Sequence, residues 1–309
     1  MQPAASVATS RKAAARSGST IGEVQSRAAP GDRRGAAGYG FSMEIQSLGL
    51  RTDVALLELG GSVVEHHGDH LVVRTPGNPT FWWGNFLLVG SVPEPAETSR
   101  WLARFEEALP DARHVAVAFD TTTGRAEQLA GFAGRGLTVE AATVMTAEAV
   151  HEPAHPQWAA AYRALHGDGD WAQWVDLRVA CRDGNHSEEG IREYSVRQSV
   201  AYRSLVDDGH GQWFGAFESG RLLSSMGLFR ASDGLARFQS VETHPDARRR
   251  GLAGTLVHHV SRFGLTELGA HTLVMVADPT YDAIRLYRSV GFSDSESLLQ
   301  AERAPVNAG

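Results

Sequence analysis

The stretch HTLVMVAD, residues 271–278, is an almost unbroken apolar run. A run of that length reads as a strand with both faces covered. The chain must therefore set a sheet between layers of helix. Its neighbours supply them. RRRGLAGTLVHHVSRFGLTELG (248–269) puts Leu252, Leu256, Val260 and Phe263 on one helical face, and YDAIRLYRSVG (281–291) reads as a second helix. Upstream, GQWFGAFESGRLLSSMGLFRASDGLARFQSVETH (211–244) gives three strands parted by the turns Ser219-Gly220 and Asp233-Gly234. SEEGIREYSVRQSVAYRSLVDDG (187–209) is the longest of the helices that precede them, and FSDSESLLQAER (292–303) is a closing strand.

The first half reads similarly. VALLELGGSVVEHHGDHLVVRTP (54–76) looks like two strands joined by a polar turn, and TFWWGNFLLVGSVP (80–93) like a third, with Trp82 and Trp83 straddling it. Trp101, Phe105 and Leu109 form a helical stripe that stops at Pro110. HVAVAFD, RAEQLAGFAGRG and LTVEAATVMTAE then read as strand, helix and strand. The halves echo each other in GRGLTVEAATVMTAE (134–148) against SVGFSDSESLLQAE (289–302), and in the spacing Val89/Pro93 against Val241/Pro245. The offset is about 150 residues, one domain length. HEPAHPQ (151–157) reads as a linker, so the expected organisation is a first domain over 43–150 and a second over 158–309. The first 42 residues are Ala-, Ser-, Gly- and Arg-rich without apolar periodicity. They read as a disordered tail that is dispensable or an overextended gene start.

Composition excludes several classes. A net charge of −7 argues against a general nucleic-acid binder. No window holds 18 uncharged apolar residues, which argues against a membrane helix. The lone cysteine, Cys181, permits no intrachain disulfide and fits a reducing cytoplasm. Lys12 is the single lysine among 29 basic residues, so no later lysine can serve as a Schiff-base nucleophile.

Against that acidic background, Arg248, Arg249 and Arg250 meet Gly251-Leu-Ala-Gly254 at the mouth of a helix. The first N–H groups of a helix lack internal partners, the dipole adds positive charge there, and glycine lets an anion approach the backbone. Arginines add charge-assisted bonds. The turn follows a strand and precedes a helix and a buried strand, which makes it a phosphate site rather than a merely solvated helix start. Other phosphate motifs are missing: there is no G-x-x-x-x-G-K-[ST], and no G-x-G-x-x-G opens a helix after a strand.

These residues resemble the GNAT (GCN5-related N-acetyltransferase) superfamily. Arg248-x-x-Gly251-x-Ala253 matches its [Q/R]-x-x-G-x-[G/A] signature, with Pro245 ahead of it, and AIRLYRSVGF (283–292) matches A-x-x-L-Y-x-x-x-G-F. The match is clear over roughly 160–302 and degenerate in the first half, where EPAETSRW replaces the turn. The whole resembles tandem proteins of that superfamily. The resemblance implies an α/β (α+β) fold of two tandem GNAT-like domains, each a mixed, mostly antiparallel sheet flanked by helices. It implies acetyl-CoA as acyl donor, no metal, and an active second half. The pyrophosphate would lie on backbone N–H groups from Arg249 to Gly254, Leu252 included, and the pantetheine arm would pair with Val241 and Thr243 like an added strand. Tyr287 would protonate the departing thiolate, although its spacing with Ala283, Leu286 and Val290 also puts it on a packed stripe. Glu242, facing away from Val241 and Thr243 by strand alternation, is the candidate base, with a solvated carboxylate as the alternative. Thr280 stands where the family often has asparagine, which removes that residue's usual contact.

The expected partner is a small-molecule amine, with no nucleic acid and no membrane; a homodimer stays open. EHHGDH (65–70) reads as a solvated hairpin turn rather than a metal cluster, and Cys181 as an inert thiol. The rival readings are a non-catalytic CoA-binding or regulatory module, and a scaffold built from two degenerate copies.

Overall fold

Among the described residues, eleven strands form one sheet, in the order β1-β2-β3-β4-β11-β5-β10-β9-β8-β7-β6. The structure, a computed structural model, describes residues 43–182 and 187–304; the tail expected over 1–42 lies outside the described residues. The first half contributes α1 (Leu48–Leu59), β1 (Val63–His66), β2 (His70–Arg74), β3 (Phe86–Val89), α2 (Thr98–Ala108), β4 (Val115–Phe119), α3 (Ala130–Ala133) and β5 (Thr138–Ala147). The second contributes β6 (Ala161–Ala164), α4 (Gly167–Ala180), α5 (Glu188–Asp207), β7 (Gly211–Glu218), β8 (Arg221–Ser232), β9 (Leu235–Thr243), α6 (Leu252–Thr266), β10 (Thr272–Ala277), α7 (Ala283–Val290) and β11 (Ser293–Arg303). Among the described strands only β3–β4 and β9–β10 pair in parallel, so the sheet is mixed and mostly antiparallel, as expected.

The strand expected over 271–278 is β10. Leu273 and Met275 face α6, while Val274 and Val276 face α1, and all four are buried. Residues 54–59 are helical instead of extended. VALLEL continues α1, which Ser47 caps by accepting from the Leu50 N–H at 3.4 Å, and the helix stops at Gly60. Short apolar runs do not distinguish strand from helix by period alone. Here Leu50, Val54 and Leu56 are buried together along one helix. Trp82 and Trp83 do not straddle a strand: they form a 3-10 turn before β3, and both are buried. The EHHGDH turn does join a hairpin. There His67 stacks on His70 at 4.9 Å, Asp69 bonds His70 at 2.7 Å, and Glu65 pairs with Arg74.

The two halves are joined more closely than a linker would require. β11, at the end of the chain, pairs with β4 and β5, while β5 pairs with β10. Each half is thus closed by the other's last strand. α1 lies across the joint, where a Cβ on Gly49 would stand 2.8 Å from Val144 and 3.2 Å from Leu298. Asp53 of α1 binds Arg237 of β9 at 2.7 Å.

On β11, the Glu302 carboxylate accepts from Trp83 Nε1 at 2.9 Å. Burial, reinforced by the charge of Glu140, lifts its pKa from 4.5 to about 7. A carboxyl raised by folding favours the native state below its unfolded pKa, and that contribution is lost as pH climbs through the folded one. Glu302→Gln, which can still accept from the indole, is expected to gain stability over wild type between pH 5 and 8. The gain should reach about 3 kcal/mol at most. Urea titrations of the two proteins at both pH values check this.

Candidate active site

Residues around β9 are arranged by one irregularity. Ser240 has φ of 44°, and the β8–β9 register shifts opposite it, which marks a bulge. Phe238 packs in the cluster under α6, and Val241, three residues on, packs against that same cluster. Without the extra residue they would point to opposite faces. The bulge therefore turns Glu242 to the other face, where Arg178 of α4 meets it at 2.5 Å. Both side chains are largely buried, and Glu242 Oε2 and Arg178 Nε have no hydrogen-bond partner among the described residues. Burial raises the Glu242 carboxyl above its ordinary range, with Arg178 pulling the other way. A carboxylate with a raised pKa is a stronger proton acceptor than a solvated one. The solvated carboxylate is thus replaced by a paired, desolvated one.

β9 and β10 pair only over Leu235–Arg237 and Thr272–Val274, then part. Beyond the gap, β9 ends at Thr243 and the chain enters the arginine turn. Arg249 and Gly251 both have left-handed backbones, φ 59° and 83°. Such a conformation in a non-glycine residue costs on the order of 1–3 kcal/mol and collects at functional turns. It also brings successive N–H groups to one side, as anion-binding concavities do. Among the described residues, none accepts a hydrogen bond from the backbone N–H of Arg249, Arg250, Gly251, Leu252, Ala253 or Gly254. Gly254 sits at the start of the helix and is buried, while Ala253 is half-buried.

The arginines divide their tasks. Arg250 binds both oxygens of Glu218, at 2.6 and 2.8 Å. Arg248 Nε donates to the Thr243 carbonyl at 3.2 Å, and Arg249 makes no ion pair among the described residues. The Thr243 carbonyl also receives the Cys181 thiol at 3.3 Å, so an incoming amide would compete for it. One wall of the turn comes from the linker: Gln157 N–H donates to Thr255 Oγ1 at 2.8 Å, and a Cβ on Gly251 would lie 2.5 Å from the His155 carbonyl.

Tyr287, on α7, is buried in the α6-side cluster with Phe238 of β9 and Met275 and Ala277 of β10. It and Glu242 thus lie on opposite faces of the sheet, flanking the gap between β9 and β10. Burial pushes the phenol pKa well up, so Tyr287 keeps its proton at any working pH. A thiolate in the same desolvated surroundings also becomes a stronger base. The Cys181 thiol, which donates to the Thr243 carbonyl, is itself pushed up to about 12 by burial and then by the charge of Glu242. That value leaves Cys181 without thiolate near neutrality, and so without nucleophilic character.

Arg178 escaped the sequence reading. A signal was present, because it follows Trp174 by four residues and Trp171 by seven, which places an arginine on an apolar helical stripe. Such an arginine needs a buried anion, but the stripe does not say which.

Residues 171–292 match the family model described as "Acetyltransferase (GNAT) family". The chain therefore contains a GNAT acetyltransferase-family domain. No curated protein matches it. Among solved structures, a conserved protein of unknown function from Staphylococcus epidermidis ATCC 12228 superposes with a TM-score of 0.64. It is 10% identical, covering 80% of this chain and 95% of that one. A GCN5-related N-acetyltransferase from Kribbella flavida gives 0.55 at 14% identity, covering 84% and 98%. A tandem GNAT protein from the clavulanic acid biosynthesis pathway gives 0.50 at 12%, covering 82% and 89%. At these identities the likeness is one of fold. Among the described residues no helix is long and apolar enough to cross a membrane.

Proposed function

We propose that the second half is an acetyl-CoA-dependent N-acetyltransferase acting on a small-molecule amine, in the cytoplasm, and that the first half is a degenerate copy that shapes the acceptor side. The observation that carries this reading is the row of unpaired N–H groups from Arg249 to Gly254, in the turn that follows β9 after β9 and β10 have parted. Backbone donors there suit a pyrophosphate. The unpaired edge of the gap suits the amides of an extended pantetheine arm.

The chemistry needs two proton movements. The acceptor amine arrives as an ammonium and must lose a proton, which Glu242 takes directly or through a water. The amine nitrogen then bonds the acyl carbon while the carbon–sulfur bond breaks. The thiolate accepts a hydrogen bond, and then a proton, from Tyr287. No acyl-enzyme is required, and Cys181 is too weakly acidic to form one.

Acetyl-CoA at 100 times its dissociation constant is expected to stabilise the protein by about 2.7 kcal/mol. No shift in a thermal melt would refute the reading and favour the scaffold alternative. A shift without thiol release over an amine panel would favour the non-catalytic binding module. Tyr287→Phe keeps the packed ring, so it is expected to leave acetyl-CoA binding intact while lowering kcat about a hundredfold. Unchanged kcat would make Tyr287 a packing residue alone.

A further inference from the structure

On the face of the sheet opposite α6, a cavity of about 400 Å³ opens between α1 of the first half and α5 of the second. The coenzyme turn does not line it. Its walls include Leu50, Phe81, Trp83, Phe86 and Leu298, so an occupant meets mainly aromatic and aliphatic surface. Set into those walls are four primary amides: Asn78 in the segment between β2 and β3, Gln198 on α5, Gln239 on β9 and Gln300 on β11. A half-buried amide without partners is costly. Gln239 is half-buried, and its side chain makes no hydrogen bond among the described residues. Gln300 donates to Glu140 at 3.1 Å, which leaves its carbonyl oxygen.

Net charge is nearly absent from the lining. Asp53 is matched by Arg237 at 2.7 Å, and Arg197 by Glu193 at 2.6 Å. Near the mouth the chain exposes apolar side chains, Val200 at 67% and Leu59 at 40%, the latter adjoining the lining residue Gly60. Tyr202 and Gln239 also line it. From Gln239 to Glu242 is three residues along β9, at most about 10 Å.

We propose that this cavity holds the body of the acyl acceptor, and that the acceptor is a ring-bearing, mostly apolar amine with uncharged hydrogen-bonding groups. It is not a polyamine or an anionic sugar. The assignment of an acceptor rests on the acyltransfer reading above; the binding chemistry does not. Apolar walls reward burial of a ring in proportion to its area, and the amides supply both donors and acceptors without selecting charge. A short arm then carries the amine nitrogen along β9 toward Glu242.

The test uses the full chain with tryptamine and 4-(aminomethyl)benzamide as probes and spermidine as the contrast, read by calorimetry with and without CoA. At least one ring-bearing probe is expected to bind, and spermidine is not. Ala201→Phe, which fills the cavity from α5, and Gln239→Leu, which removes the free amide, should each weaken binding at least tenfold. Neither should alter the acetyl-CoA thermal shift, and the leucine variant serves if the phenylalanine one does not fold. Failure of both ring-bearing probes with an intact acetyl-CoA shift would overturn the proposal. So would binding that neither variant weakens, or a preference for spermidine. Probe binding that responds to both variants, with no acetyl-CoA shift in wild type, would instead sink the acyltransfer reading and leave the ligand site standing.

Discussion

Gly251→Ala is expected to abolish acetyl-CoA binding over the concentration range that saturates wild type, and to lower stability. Two independent costs fall on the added methyl group. With φ at 83°, Gly251 occupies left-handed space that costs an L-residue about 1–2 kcal/mol. The Cβ would also lie 2.5 Å from the His155 carbonyl oxygen, which belongs to backbone and cannot rotate away. The chain can relieve both only by turning residue 251 out of its conformation or lifting the linker off the turn. Either movement redirects the N–H groups of Leu252 and Ala253, on which the proposed diphosphate contacts depend. Each 1.4 kcal/mol lost from binding is about tenfold in affinity, so two misdirected donors should suffice for at least a hundredfold loss. Calorimetric titration of acetyl-CoA, with urea unfolding as control, checks both effects. Wild-type affinity in Gly251→Ala would show that the coenzyme is held elsewhere.

Arg178→Met carries the other large effect. It leaves Glu242 buried opposite an apolar side chain, and breaking a buried pair by removing one partner costs about 3–5 kcal/mol. The loss should depend on pH in a stated direction. Burial raises the Glu242 carboxyl in the folded protein even with the arginine present. A raised group stabilises the fold fully below its unfolded pKa and loses that contribution as pH rises through the folded value. Without the guanidinium the rise is larger, so the variant should recover part of its stability near pH 5 and lose most at pH 8. The double variant Arg178→Met, Glu242→Gln should then be more stable than the single one at pH 8. Urea denaturation of the three proteins at both pH values decides this. Equal stability of single and double variants would mean that the carboxylate finds another partner, or water, once the arginine is gone.

Much of the architecture was legible because it rests on local pattern. The turns at Ser219-Gly220 and Asp233-Gly234 fall where the sequence indicates, and Ser219, Gly220 and Gly234 all take positive φ. α2 buries Trp101 and Phe105 as their spacing demands. Misreadings arose where pattern was short or ambiguous. VALLEL suits either a buried strand or a helix, and packing beneath the sheet made it α1. The tandem tryptophans read as strand residues, but Asn85 fixes a 3-10 turn by donating to the Phe81 carbonyl at 2.7 Å. β6, at the start of the second half, carries only Ala161–Ala164 and gave no periodic signal.

The expectation of an anion site at the arginine turn needed nothing beyond its own residues. Glycine placement, the following apolar helix and the peptide dipoles are all properties of adjacent positions. Nothing adjacent to Glu242 specifies its environment. A bulge at Ser240 sets its face, and an arginine 64 positions earlier sets its charge balance. Likewise the exchange of β5 and β11, and the cavity between α1 and α5, depend on which distant edges and faces find each other. Such pairings are selected by the surface they bury, and a run of neighbouring residues holds no record of its distant partner.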